Sequence, residues 1–152
     1  MDAQADTRLL YRGSDWDFQT LRRSYDAIER IAEDELGLEL YPNRIEVITS
    51  EQMLDVYAAH GMPLTYRHWS YGKRFMQHEA GYRKGYTSLA YEVVINSNPC
   101  ISYLMEENSA TMQALVTAHA AFGHNHFFRN NYLFRQWTQP STILDYLEFA
   151  RT

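Results

Sequence analysis

Three of the six histidines in this 152-residue chain fall in one short stretch, His119-Ala120-Ala121-Phe122-Gly123-His124-Asn125-His126. Neutral imidazole is the commonest transition-metal ligand and the usual proton carrier near neutral pH. The stretch is therefore the first place to look for chemistry, and spacing decides which rings can meet. On a regular α-helix His119 and His124 lie about 140° apart around the axis and cannot face one ligand. A π-type bulge makes positions i and i+5 neighbours, and such bulges recur at functional sites. Gly123, with no Cβ, permits such an irregularity. His119 and His126 share a helix face but are about 10 Å apart along the axis, too far to ligate one ion. His124 and His126 converge only if the helix has ended between them, so His126 is set aside as a bystander.

A metal or hydrolytic site also needs a carboxylate. Glu92, Glu106 and Glu107 precede the histidines. The acidic pair Glu106-Glu107, just before the histidine-bearing helix, suits a third ligand or a base. The expected site therefore has His119, His124 and Glu107 as ligands of a divalent metal, with zinc the first choice. Glu106 or Glu107 would act as base, and His68 would stand in an adjoining cleft. That cleft is drawn from His60 to Phe75, where two His, Tyr66, Trp69 and Pro63 shape a loop leading into a helix. The competing reading is that the histidines cap helices, hydrogen-bond or fill a polar core seam. Cys100 is the single cysteine, so no internal disulfide forms. A lone cysteine is more often a buried hydrophobe than a nucleophile.

The elements that must position these residues can be read from periodicity. Ser14 can cap a helix with Asp15 and Asp17 in its first turn. Leu21, Tyr25, Ile28 and Ala32 recur at helical spacing, and Gly37 is a stop. Pro42-Asn43 signals a turn, and the alternation of residues 44–49 a strand. Ser50 opens a helix ending at His60-Gly61, and another is expected from Trp69 to Arg83. Tyr91 to Asn96 and Cys100 to Met105 form a hairpin about the Asn96-Ser97-Asn98-Pro99 turn. Ser109 caps a helix with Met112, Leu115, Val116 and His119 on one stripe, and a last helix runs from Ser141 to Arg151. The expected fold is α+β, mostly helical, with a small antiparallel sheet or hairpin packed on the His119 helix. Residues 1–13 read as a flexible arm and 14–152 as a single domain. The chain stops just after the last helix with no capping signal, which points to one domain of a longer protein.

Composition excludes several classes. Hydrophobic residues make up 45%, enough for a packed core. A net charge of -5 argues against nonspecific nucleic-acid binding. The local basic cluster (Arg67, His68, Lys73, Arg74, His78, Arg83, Lys84) could bind a phosphate, a carboxylate or RNA, and reads first as a solvated helix face. The N-terminus has no signal-peptide pattern, and the longest stretch without Lys, Arg, Asp or Glu, residues 108–128, is too polar for a membrane span. The cytoplasm is the default compartment. Twelve tyrosines suit either a wet cleft or a large interface.

Two resemblances follow from these residues. His119-Ala120-Ala121-Phe122-Gly123-His124 resembles the HExxGH zinc-peptidase helix of the dipeptidyl peptidase III family, a zincin-like pattern. There the residue after the first His is a Glu that activates water, and here it is Ala120, which takes no proton. Longer blocks carry the second resemblance. They are Gly61 to Phe75, with Met62-Pro63-Leu64-Thr65-Tyr66-Arg67-His68-Trp69 at its heart, Tyr91 to Asn108, His119 to Asn125, and Asn131-Tyr132-Leu133-Phe134-Arg135. They span about residues 41–150 and are similar to the N-terminal part of the stage V sporulation protein R (SpoVR) family. That resemblance implies a cytoplasmic bacterial protein of a longer family, linked in spore formers to spore cortex formation. It implies protein partners, including the chain's own C-terminal region, and brings no settled activity.

Overall fold

A computed structural model describes residues 9–59, 76, 80, 81 and 91–149. The cleft segment from His60 to Phe75, with His68, lies outside the described residues, as does nearly all of the helix expected from Trp69 to Arg83.

The first helix, α1 (Phe18–Arg30), starts one turn later than Ser14 suggests. Asp17 is its cap, and the carboxylate accepts the Thr20 N–H at 2.7 Å. Ser14 instead gives its carbonyl to the Ala110 N–H at 2.7 Å, tying the entry of α1 to a later helix. The expected stripe is correct. Leu21 and Ala32 are buried, with Tyr25 and Ile28 partly so. The helix widens into a π turn over Ile31–Glu35, and Gly37 ends it at φ +64, a left-handed conformation that suits glycine.

Strand β1 (Asn43–Ile48) leads into α2 (Ser50–Ala59). Thr49 caps α2 reciprocally. Its Oγ1 accepts the Gln52 N–H, and Gln52 Oε1 accepts the Thr49 N–H. This is a capping box shifted one residue from Ser50. Strands β2 (Glu92–Ile95) and β3 (Cys100–Met105) form the expected antiparallel hairpin, with a cis Asn98–Pro99 bond in its turn. β1 pairs with the other side of β3 in parallel, so the sheet is mixed, in the order β1-β3-β2. Central β3 is buried on both faces: Cys100, Ile101, Tyr103 and Leu104 are all buried, and so is the polar Ser102 among them.

Strand alternation sorts the core into layers. Ile45, Val47, Val94 and Leu104 face α1 and α3 (Ala110–Thr117), meeting Leu21, Val116 and Ala120. Ile48, Val93, Ile95, Ile101 and Tyr103 face the other way, onto Met53 and Leu54 of α2 and Leu144 of α6 (Pro140–Phe149). Ser109 caps α3 as expected, accepting the Met112 N–H. The stripe of Met112, Leu115, Val116 and His119 is not the inward face of α3 as a whole. Gln113, Val116, Thr117 and Ala120 point at the sheet, and Leu115 is exposed. One of the inward side chains of α3 is polar. Gln113 donates to the Met105 carbonyl and accepts from Asn108, so a buried amide closes the β3–α3 turn.

Two short helices follow, α4 (Asn125–Asn130) and α5 (Tyr132–Trp137), the latter capped by Asn131. α4 corrects the reading of Pro42-Asn43 as a turn. Residues 38–42 form no turn and, among the described residues, have no sheet partner on the outer side, where side chains of α4 bond them. Asn125 accepts the Tyr41 N–H and donates to the Tyr41 carbonyl, both at 2.8 Å, and donates to Asn43 Oδ1 at 2.7 Å. Arg129 donates to the Leu40 carbonyl and Asn130 to that of Glu39. His126 Nδ1 lies 3.1 Å from the same Glu39 carbonyl, which gives this histidine a structural place. Asn125 is fully buried, so losing its carboxamide strands two backbone groups at once. Asn125→Ala is expected to lower unfolding free energy by about 3 kcal/mol, read from urea denaturation; a loss below about 1 kcal/mol would show the contacts to be dispensable.

Candidate functional site: a histidine pair on a π turn

After α3 the helix widens over Ala118–His124, and the Asn125 N–H reaches back five residues to the Ala120 carbonyl. This is the bulge that a meeting of His119 and His124 requires. Their ring centroids are 4.4 Å apart with planes at 54°. The cause is packing rather than glycine. Ala120, Ala121 and Phe122 are all buried, as is Asn125, a pattern that a narrow 3.6-residue turn cannot bury on one side. The wider turn lets Ala121 and Phe122 meet Ala32 and Tyr25 while Ala120 stays against Leu104. Gly123 is not sterically required. A Cβ there would lie 3.7 Å from the Ala118 carbonyl oxygen and 3.9 Å from His119 Cδ2, ordinary contact distances.

The carboxylate at the pair is Glu92, at the start of β2. Glu92 Oε1 lies 2.8 Å from His119 Nδ1. A carboxylate only accepts, so Nδ1 carries the proton, which leaves Nε2 of the neutral ring as a free base. The Glu92 side chain is 15% exposed and that of His119 60% exposed. The ring is thus anchored on its inner edge and open on its outer one. Register explains the approach. Glu92 shares a sheet face with Val94, and that face packs against the histidine-bearing helix. His124 is half-buried and stacks on Phe128, with centroids 5.8 Å apart and planes at 26°. Burial holds its pKa below the ordinary 6.5, the neighbouring His119 pushes the same way, and Glu92 opposes. Near neutral pH, His124 keeps an unprotonated ring nitrogen.

The other expected site residues lie elsewhere. Glu107 Oε1 accepts the Ser50 N–H at 3.2 Å. Glu106 and Glu107 line a surface pocket of about 420 Å³ with Ser14, Asp15, Trp16, Asn108 and Ser109. That turn abuts Ala110, nine residues and roughly 13 Å of helix before His119. The structure therefore joins His119 and His124 to Glu92, and does not bring Glu106 or Glu107 to them. Among the described residues, no three His, Cys, Asp or Glu are grouped so as to hold a metal ion. Ala120 is fully buried against the core. The position that carries the base in the HExxGH pattern points away from the pair. Cys100 is buried, its thiol donates to the Ile95 carbonyl, and burial pushes its pKa up to about 11, as suits a packing residue. Sequence reasoning missed the stacking role of Phe128 and the clamp made by Asn125.

Fold and site together define an α+β domain whose mixed three-stranded sheet presents a carboxylate to a histidine pair on a π turn. Comparison with known proteins supplies the family. A family model described as "SpoVR like protein" matches residues 15–152. The chain belongs to the SpoVR family. It is 59% identical over 146 residues to a protein of Escherichia coli (strain K12) described as "Uncharacterized protein YcgB". The match covers 96% of this chain and 28% of that relative, so the chain spans under a third of the relative's length. No solved structure matches. No helix among the described residues is long and apolar enough to cross a membrane.

The lowered His124 pKa has a signed consequence. The unfolded chain takes up a proton near 6.5 that the folded site resists. Stability from this group is therefore complete above 6.5 and is lost as pH falls through the lower folded value. The melting temperature is expected to drop between about pH 7 and pH 5, and His124→Gln to shrink that drop. A His124 ring titrating by NMR at or above 6.5 contradicts the geometry.

Proposed function

We propose that the His119–His124 pair is the centre of a divalent-metal-dependent, hydrolase-like site, with Glu92 in the carboxylate role that the sequence suggests for Glu106 or Glu107. One observation carries this reading: two imidazoles 4.4 Å apart, one of them hydrogen-bonded through Nδ1 to a largely buried carboxylate. That is how metal-binding histidines are oriented. The carboxylate fixes the tautomer and turns Nε2 outward. His119 Nε2 and a ring nitrogen of His124 would hold the ion, and imidazole ligation favours zinc. A bound zinc would lower the pKa of a water towards neutrality. The chain's own contribution is to orient His119 through Glu92, to keep His124 unprotonated and to shield it with Phe128. Two nitrogens are fewer than the three protein ligands usual for catalytic zinc, so water or substrate would fill more of the coordination sphere.

In the cell, this reading makes the chain a cytoplasmic part of a longer SpoVR-family protein. The family name points to sporulation, and the proposed role lies in spore cortex or cell-envelope formation. A second reading, a non-catalytic interaction module, has its own support. Tyr132, Trp137 and Phe149 are each more than 70% exposed at the C-terminal helices. On that reading the histidines are structural.

Zinc titration followed by calorimetry and melting temperature separates the two. Zinc is expected to bind and to raise the melting temperature of the wild-type chain. His119→Ala and His124→Ala should each abolish the rise, and Glu92→Gln should weaken affinity about 10- to 100-fold. A wild-type chain indifferent to zinc, manganese and iron decides for the interaction module.

A further inference from the structure

The parallel register of β1 with β3 fixes where each β1 backbone group points. The Cys100 N–H reaches the Pro42 carbonyl and the Glu106 N–H reaches the Ile48 carbonyl, so residues 42, 44, 46 and 48 bond inward to β3. The N–H and C=O groups of Asn43, Ile45 and Val47 therefore point away from β3, out from the β1 edge of the sheet. Among the described residues none of these six groups has a partner. One position earlier in the alternation, at Tyr41, the same outward pair is filled by the Asn125 carboxamide. The chain covers its edge there, and among the described residues nothing covers the next three outward residues.

From this edge, we infer that two copies of the chain pair through β1, antiparallel about a twofold axis at Ile45. Ile45 then faces Ile45 of the second copy, and Asn43 faces its Val47, so each outward N–H and C=O finds a partner. The charges match as well. Arg44 and Glu46 lie on the opposite sheet face, bridged within the strand at 2.8 Å, with side chains 60% and 33% exposed. The twofold axis sets Arg44 of each copy opposite Glu46 of the other. Soluble proteins blunt open edges with lysine, proline or bulges. Here the edge charges are self-complementary and reward pairing of like strands. On the helix face, Asn43, Ile45 and Val47 line an open groove of about 560 Å³ beneath Phe18, Leu21 and Tyr25 of α1, with Phe18 73% exposed. The second copy's Ile45 and Val47 enter that groove. Asn125 limits the pairing to residues 43–47. The result is a continuous six-stranded sheet, and it does not depend on the histidine site.

Sedimentation of the full chain tests this. The wild type is expected to be dimeric at micromolar concentration. Ile45→Pro removes an N–H that β3 does not use and fills the space of an added strand, so it should give a folded monomer. Arg44→Glu and Glu46→Arg should each weaken dimerisation about tenfold, because like charges then face each other twice. Mixed in equal amounts, the all-acidic and all-basic edges should restore a dimer containing one copy of each. These two positions are exposed enough to spare the fold should the proline variant lose it. A monomeric wild type, or dimers insensitive to both charge reversals, overturns the inference.

Discussion

The helix that follows β3 must bury three consecutive residues, Ala120, Ala121 and Phe122, against partners on two different elements. A regular turn cannot do this, and the wider π turn can. Its hydrogen bonds reach five residues back, and what it loses in helical geometry is offset by burial on both sides. Ala120 goes to the sheet, and Ala121 and Phe122 go to α1. The same widening swings Asn125 under residues 41–43, where its carboxamide bonds the Tyr41 backbone and the Asn43 side chain. It also brings the two histidines together on the outer side. The core, the clamp on β1 and the histidine pair thus share one cause.

That coupling shapes the electrostatics. Burial makes His124 resist protonation, and the neighbouring His119 adds to the resistance. Glu92 acts on the opposite ring, at Nδ1 of His119. The pair is asymmetric: one ring is exposed and held by a carboxylate, the other half-buried and stacked on Phe128. Two rings of one residue type are pushed into different roles by their surroundings, the condition under which a site can both hold and release a proton or a ligand.

Much of this was legible in the sequence, and the failures have physical reasons. The α1 stripe, the Gly37 stop, the hairpin and the need for a π bulge all follow from local periodicity and turn chemistry. The parallel pairing of β1 does not, because strand partners are set by long-range packing. Leu115 shares a helical stripe with Val116 yet is exposed, and Gln113 is buried instead, since its amide satisfies the Met105 carbonyl and Asn108 where the chain turns. Proximity in sequence favoured Glu106 and Glu107. Strand alternation held the better signal: Glu92 lies on the face of Val94, and that face meets the helix. The Asn125 clamp left no local trace, because its partners are 84 residues away.

The resemblance to the HExxGH helix fails for a reason deeper than one substitution. In that pattern the base and both ligands ride on a single helix, and the residue after the first histidine must project toward the metal. Here that residue is Ala120, sealed between Leu104, Leu21 and Val116. A glutamate at 120 would bury a charge in the core, at a cost of several kcal/mol without a partner. The chain cannot regain the peptidase arrangement by restoring the missing acid. Its carboxylate must come from another element, and β2 is the one whose register supplies it. The carboxylate at the pair is strand-borne, so anything that shifts β2 against the helix breaks its contact with His119 without touching either histidine.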